Sequence, residues 1–143
     1  MSAHMILRAR TAASHAAIDS AFSHFNLGDR DSYVSFLKAH ARALPAIEAA
    51  LLGAELPPWR PRAALLRNDL DAFGNEMPEP LSISEALSDA EKLGLLYVLE
   101  GSRIGGRLLL RRIALGLPPE KWSSLMYGFR ADGGLRYGQE TQA

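Results

Sequence analysis

Leu96-Tyr97-Val98-Leu99-Glu100-Gly101-Ser102-Arg103-Ile104-Gly105-Gly106 is the stretch whose reading decides the fold. Strong helix formers lie on both sides of three glycines in six positions. Each glycine inside a helix costs roughly 1 kcal/mol against alanine. Two physical uses offset that cost. Glycine lets another surface approach the backbone closely, and it lets a helix bend. Gly101 and Gly105 share a helical face, and Gly106 is read as lying beside them. The pattern itself fits close helix–helix packing and fits a flat apolar ligand lying on the backbone. No strand precedes these glycines and no Gly-Lys-Ser/Thr follows, so they do not form a phosphate loop.

Working outward, the same helix is expected to start near Ser82, where Ser82 and Glu85 have capping-box spacing and Leu81 sits just outside. It meets the glycines, resumes as Leu108 to Leu115, and stops at Gly116 to Pro119. Upstream, the spacing predicts a first helix from about Met5 to Phe25. Its apolar stripe comprises Leu7, Thr11, His15, Ile18, Phe22 and Phe25. A second helix, capped by Asp29 or Asp31, carries Tyr33, Phe36, Leu37, His40, Leu44, Ile47 and Leu51 and ends near Gly53. A third spans about Arg62 to Phe73 and ends at Gly74-Asn75. A short last helix is expected over about Glu120 to Arg130, followed by a loose tail over about 132–143.

The composition agrees with this all-α reading. Leu (23) and Ala (22) supply 45 of the 143 residues, while Val, Ile and Thr together supply ten. That bias favours helices over strands. One domain over 1–143 is expected at this length. Lys+Arg and Asp+Glu both number 16, which argues against a general binder of nucleic acid or anionic membranes. There is no Cys, so disulfides, thiolate metal sites and Cys nucleophiles are excluded. Met1 to His4 lacks a signal pattern and no apolar run reaches membrane-spanning length, so the expected location is cytoplasmic.

His15 is the candidate ligand. A neutral imidazole on an apolar helical face suits an axial position on haem iron, whose macrocycle also needs apolar walls. Arg8 lies two turns earlier on roughly the same side. The same pattern also fits a hydrogen-bonded boundary histidine. His4, His24 and His40 are weaker candidates, and no spacing suggests a zinc or di-iron site. Arg103, Arg107 and Arg111 form a basic strip at helical spacing, which suits a solvated face or an acidic partner. Glu100 and Arg103 have the spacing of a local pair.

Leu7-Arg8-Ala9-Arg10-Thr11-Ala12-Ala13-Ser14-His15, with Ile18-Asp19 and Phe22, resembles the proximal-helix segment of haem oxygenases. Leu96 to Gly106 resembles their distal helix, in particular that of the bacterial branch associated with bacteriophytochromes. Arg62 through Asp69-Leu70 to Gly74 is similar to that branch too. The resemblance covers about Leu7 to Pro118. It implies a multi-helix bundle in which haem lies between the first helix and a glycine-kinked distal helix. It further implies His15 as the proximal iron ligand and Arg8 at a haem propionate. Gly101, Gly105 and Gly106 would be the distal glycines, and Ser102 stands where many relatives carry an Asp that organises water.

The reaction implied is oxidative opening of haem to biliverdin, iron and carbon monoxide, with haem as both substrate and cofactor. It uses oxygen and electrons from a partner protein or small reductant. A bacteriophytochrome is a candidate partner and a homodimer a candidate assembly. The family continues past the distal helix, whereas here only a short amphipathic stretch with Trp122, Leu125, Met126 and Phe129 follows. A shortened relative, a pocket completed by another subunit, and a scaffold that has lost haem binding are the three readings of that difference. A non-catalytic tetrapyrrole or protein binder and a plain helical interaction module are the alternatives to the enzyme.

Overall fold

A computed structural model describes residues 1–26, 28–84 and 86–113, with 103–113 described by backbone alone. The described residues form four helices and no strand: α1 Ala3–Phe22, α2 Arg30–Leu51, α3 Ala63–Ala72 and α4 Asp89–Ile113. The all-α class read from composition is the class observed. The expected helix over 120–130 and the tail lie outside the described residues.

The helix ends follow local chemistry. Ser2 caps α1 by accepting from the Met5 amide at 3.3 Å, and Asp29 caps α2 by accepting from the Ser32 amide at 2.9 Å. Beyond α3, Gly74 takes φ +70°. Its amide bonds the Asp71 carbonyl at 2.9 Å, and the Asn75 amide bonds the Leu70 carbonyl at 3.0 Å. These two bonds make a Schellman end, which needs the left-handed conformation that glycine adopts at no steric cost.

The start of α4 corrects the expectation from spacing. Two Ser-x-x-Glu patterns follow one another, and the helix uses the second. Ser88 Oγ accepts from the Glu91 amide at 3.2 Å, and the Glu91 carboxylate accepts from the Ser88 amide at 2.7 Å and its hydroxyl at 2.9 Å. These bonds hold the Glu91 carboxyl below its ordinary pKa. Ser82 instead lies in non-helical backbone, and Glu85 lies outside the described residues. The Leu81 amide upstream donates to the Arg42 carbonyl at 2.7 Å, which ties the connection to α2.

α2 is the element on which the others pack. Tyr33, Val34, Phe36, Leu37 and Ala41 meet Leu66 and Leu70 of α3 and Phe73 just beyond it. A second cluster joins Leu51 to Leu96 and Leu99 of α4, with Ile47, Leu56 and Trp59 against it. Leu44 touches both clusters. α1 differs from its expected role. None of its residues is buried. Of the predicted stripe, only its last members, Phe22 and Phe25, pack on the first cluster. There Phe22 meets Phe36 edge-on at 5.9 Å.

Tyr33 is 1% exposed, and its hydroxyl has no hydrogen-bond partner among the described residues. Burial, then the negative charge of Asp69, raises its pKa. A buried hydroxyl without a partner costs about 1–3 kcal/mol. Tyr33→Phe is therefore expected to raise stability by about 1 kcal/mol, read as a higher urea midpoint at unchanged slope.

Candidate functional site

The candidate site is built from two uncovered faces. On α4, Leu96 and Leu99 are 4% and 7% exposed and point into the core. At roughly 100° per residue, Leu93, Gly94, Tyr97 and Val98 fall within about 80° of Gly101, on the opposite side of the helix. Leu93, Tyr97 and Val98 are exposed, as are Gly94 and Gly101. A Cβ added at Gly101 would meet nothing within 4 Å among the described residues. Helix packing therefore has no described partner at Gly101. Gly105 falls in the same register as Gly101.

The glycine segment lies inside a continuous helix: α4 runs through Gly101, Gly105 and Gly106 to Ile113. Helix formers on both sides carry the hydrogen-bond ladder across the weak positions. At roughly 100° per residue Gly106 falls close to the register of Leu99.

The second face belongs to α1. Leu7, Thr11, His15, Ile18 and Phe22 lie along one side of the helix. Leu7, His15 and Ile18 are exposed. The His15 imidazole has no hydrogen bond, ion pair or ring contact among the described residues. Thr11 donates instead to the Leu7 carbonyl at 2.8 Å. Arg8, two turns before His15, is exposed as well. The structure thus leaves His15 and Gly101 each on an open face of its own helix and does not bury either against the other.

Ser102 makes two hydrogen bonds within the protein. Its hydroxyl donates to the Leu99 carbonyl at 2.6 Å and accepts from Arg62 Nη2 at 2.7 Å. Its hydroxyl is therefore engaged on the Leu99 side of the helix, while the residue as a whole is exposed. Arg62, which is buried, also donates to the Leu99 carbonyl at 3.0 Å. The Arg62 amide donates to Glu48 Oε1, and the Ala63 amide reaches the same carboxylate at 3.2 and 3.3 Å. The sequence pattern marks Arg62 only as a helix start and does not single out Glu48. Both are charged residue types that hydropathy alone assigns to solvent.

The other histidines stand apart. His40 packs against Phe22 and Phe36 and shares a hydrogen bond with the Phe36 carbonyl at 2.9 Å. Burial of its ring lowers the His40 pKa, the Phe36 bond opposing this and the Arg62 charge adding to it. His24 lies on the Phe25 ring at 4.4 Å. No group of three or more His, Asp or Glu that could hold a metal occurs among the described residues. The side chains of Arg103, Arg107 and Arg111 lie outside the described ones.

The chain resembles a known enzyme. A haem oxygenase of Xanthomonas campestris pv. campestris (strain 8004) is 34% identical to it over 96 residues. The match covers 59% of this chain and 54% of that protein, so the chain spans about half the length of this curated relative. No protein-family model matches the chain, and no solved structure matches it. No described helix is long and apolar enough to cross a membrane.

The uncovered faces fit the group that such a relative suggests. A flat macrocycle needs apolar walls, a backbone it can approach and a nitrogen donor free to turn toward it. Among the described residues, Leu93, Tyr97, Val98, Leu7 and Ile18 are apolar and exposed, Gly101 is bare backbone, and His15 is an exposed imidazole.

Proposed function

We propose that this chain is a member of the haem oxygenase family that binds haem between α1 and α4. The observation that carries the reading is the open Gly101 face, flanked by apolar side chains and in contact with no other described element. The similarity to the Xanthomonas protein supports it, and so does the uncommitted imidazole of His15 on the second apolar face.

In this reading His15 holds the iron through a neutral nitrogen. Arg8, on the same side of α1, meets a carboxylate at the macrocycle edge. Gly101 and Gly105 let the opposite face of the macrocycle lie against bare backbone, where a side chain would hold it off. Bound haem supplies the oxygen-activating iron and is itself the molecule cleaved, so no nucleophile or acid–base pair is required of the chain. Ser102 supports the glycine segment from behind and does not organise water on the haem side. The products are biliverdin, iron and carbon monoxide, with oxygen and an external protein or small-molecule reductant consumed. A cytoplasmic setting and the bacteriophytochrome-associated branch go with this reading. A bacteriophytochrome acceptor and a homodimer that covers the open faces go with it too.

The commitment of the Ser102 hydroxyl to Arg62 and Leu99 favours one second reading, a haem or tetrapyrrole binder without turnover. Hemin titration followed by addition of ascorbate separates the two. The enzyme reading expects a Soret band at equimolar hemin, its loss in His15→Ala, and green product with decay of the band once reductant is added. Binding without turnover selects the second reading. Absence of any Soret shift in the wild-type chain overturns both.

A further inference from the structure

Arg62 precedes α3 in the chain, yet its guanidinium ends on α4. Nη2 donates to the Leu99 carbonyl at 3.0 Å and to Ser102 Oγ at 2.7 Å, while the Ser102 hydroxyl donates to the same carbonyl at 2.6 Å. The Leu99 carbonyl thus serves two side-chain donors in addition to its place in the helical ladder. A carbonyl shared in this way accepts less strongly from the amide four residues on. Side-chain bonds of this kind weaken the ladder locally on the side where they form. That side is the packed one, where Leu99 is buried, and the opposite side is the face centred on Gly101. The backbone amide of Arg62 is held by Glu48 of α2, so the guanidinium reaches α4 from a fixed base.

We propose that Arg62 is a positioning residue for the Gly101 face. By pinning the Leu99 carbonyl and the Ser102 hydroxyl, it loosens the turn over 99–103 on the packed side. The strength of the helical ladder beside Gly101 is set by that contact. The bearing of this contact on a ligand rests on the haem reading above, whereas its effect on the helix does not.

Two measurements on the full chain test the proposal. The first is amide hydrogen exchange without ligand in Arg62→Met, Arg62→Lys and Ser102→Ala. Arg62→Met loses buried polar bonds and is expected to lower the thermal midpoint. Exchange within the 101–104 segment is nevertheless expected to slow several-fold, because the Leu99 carbonyl returns to the ladder. Arg62→Lys, which keeps a cationic donor, should restore part of the wild-type exchange. Ser102→Ala removes one of the two side-chain donors with little risk to folding and should slow exchange in the same segment. A merely structural Arg62 would instead speed exchange there in step with the lost stability, and that result, or no change in both variants, overturns the proposal.

The second measurement is hemin titration of the same variants. Arg62→Met is expected to weaken hemin binding by roughly threefold to tenfold, the size of effect that residues touching no ligand exert through their neighbours. Its Soret maximum should also move, although His15 is intact. If the wild-type chain takes up no hemin, the haem reading fails and the exchange result still judges Arg62. If hemin binds and Arg62→Met leaves affinity and Soret maximum unchanged, the role of Arg62 toward the ligand fails and the haem reading stands.

Discussion

Glu48→Ala is expected to lower the unfolding free energy by about 3 kcal/mol, within the range found when one partner of a buried charged contact is removed. Glu48 is 8% exposed, and its carboxylate accepts from the amides of Arg62 and Ala63 at the start of α3. Those amides are among the donors that a helix N-terminus leaves without an intrahelical partner, and the positive end of the helix dipole favours an anion there. Arg62 itself has no side-chain cap bond, so Glu48 caps α3 from another helix. Alanine would leave both amides near the core without that acceptor. Glu48→Gln keeps an acceptor oxygen and is expected to cost less, about 1 kcal/mol. Urea unfolding followed by circular dichroism measures both. A loss under about 1 kcal/mol in Glu48→Ala would show that water or another group satisfies these amides equally well.

Substitutions at Gly101 are expected to split stability from ligand binding. Gly101→Ala should raise stability by about 0.5–1 kcal/mol, the helix-propensity difference, since an added Cβ meets nothing within 4 Å among the described residues. Were Gly101 a close-packing glycine, the same variant would destabilise. Gly101→Leu starts from the same open Cβ position among the described residues and should fold. It would, however, hold a flat ligand off the backbone, so hemin affinity is expected to fall at least tenfold, equivalent to about 1.4 kcal/mol. Paired thermal melts and hemin titrations check this. Undiminished hemin binding by Gly101→Leu would remove the open face from the site.

Much of the fold is legible in the amino-acid order because it is local. The Leu and Ala excess, the three-and-four spacing of Tyr33, Leu37, Leu44 and Leu51, and the glycine stops at Gly53 and Gly74 all express contacts within a few residues. The candidate site residues are legible for the same reason. Gly101 and Gly105 share a face by arithmetic, and His15 shares one with Leu7 and Ile18. Covering is a different matter. The α1 stripe has the period of a core face, but only Phe22 and Phe25 meet the core, because period says nothing of which neighbour arrives. The choice between Ser82 and Ser88 as the cap of α4 is likewise open in the pattern. Both carry the same spacing, and the outcome depends on where the Leu81 connection is tied to Arg42 of α2.

The amino-acid sequence by itself determined the helices, their apolar faces and the bare backbone at Gly101, since these follow from propensity and a period of 3.6 residues. Only the tertiary structure decided which faces stay open and which polar groups are buried. Glu48 meets the amide of Arg62 across 14 positions of chain, and the Arg62 guanidinium meets Leu99 across 37. No local pattern records such pairs. They form because buried amides, carbonyls and charges must find partners wherever the packing brings them.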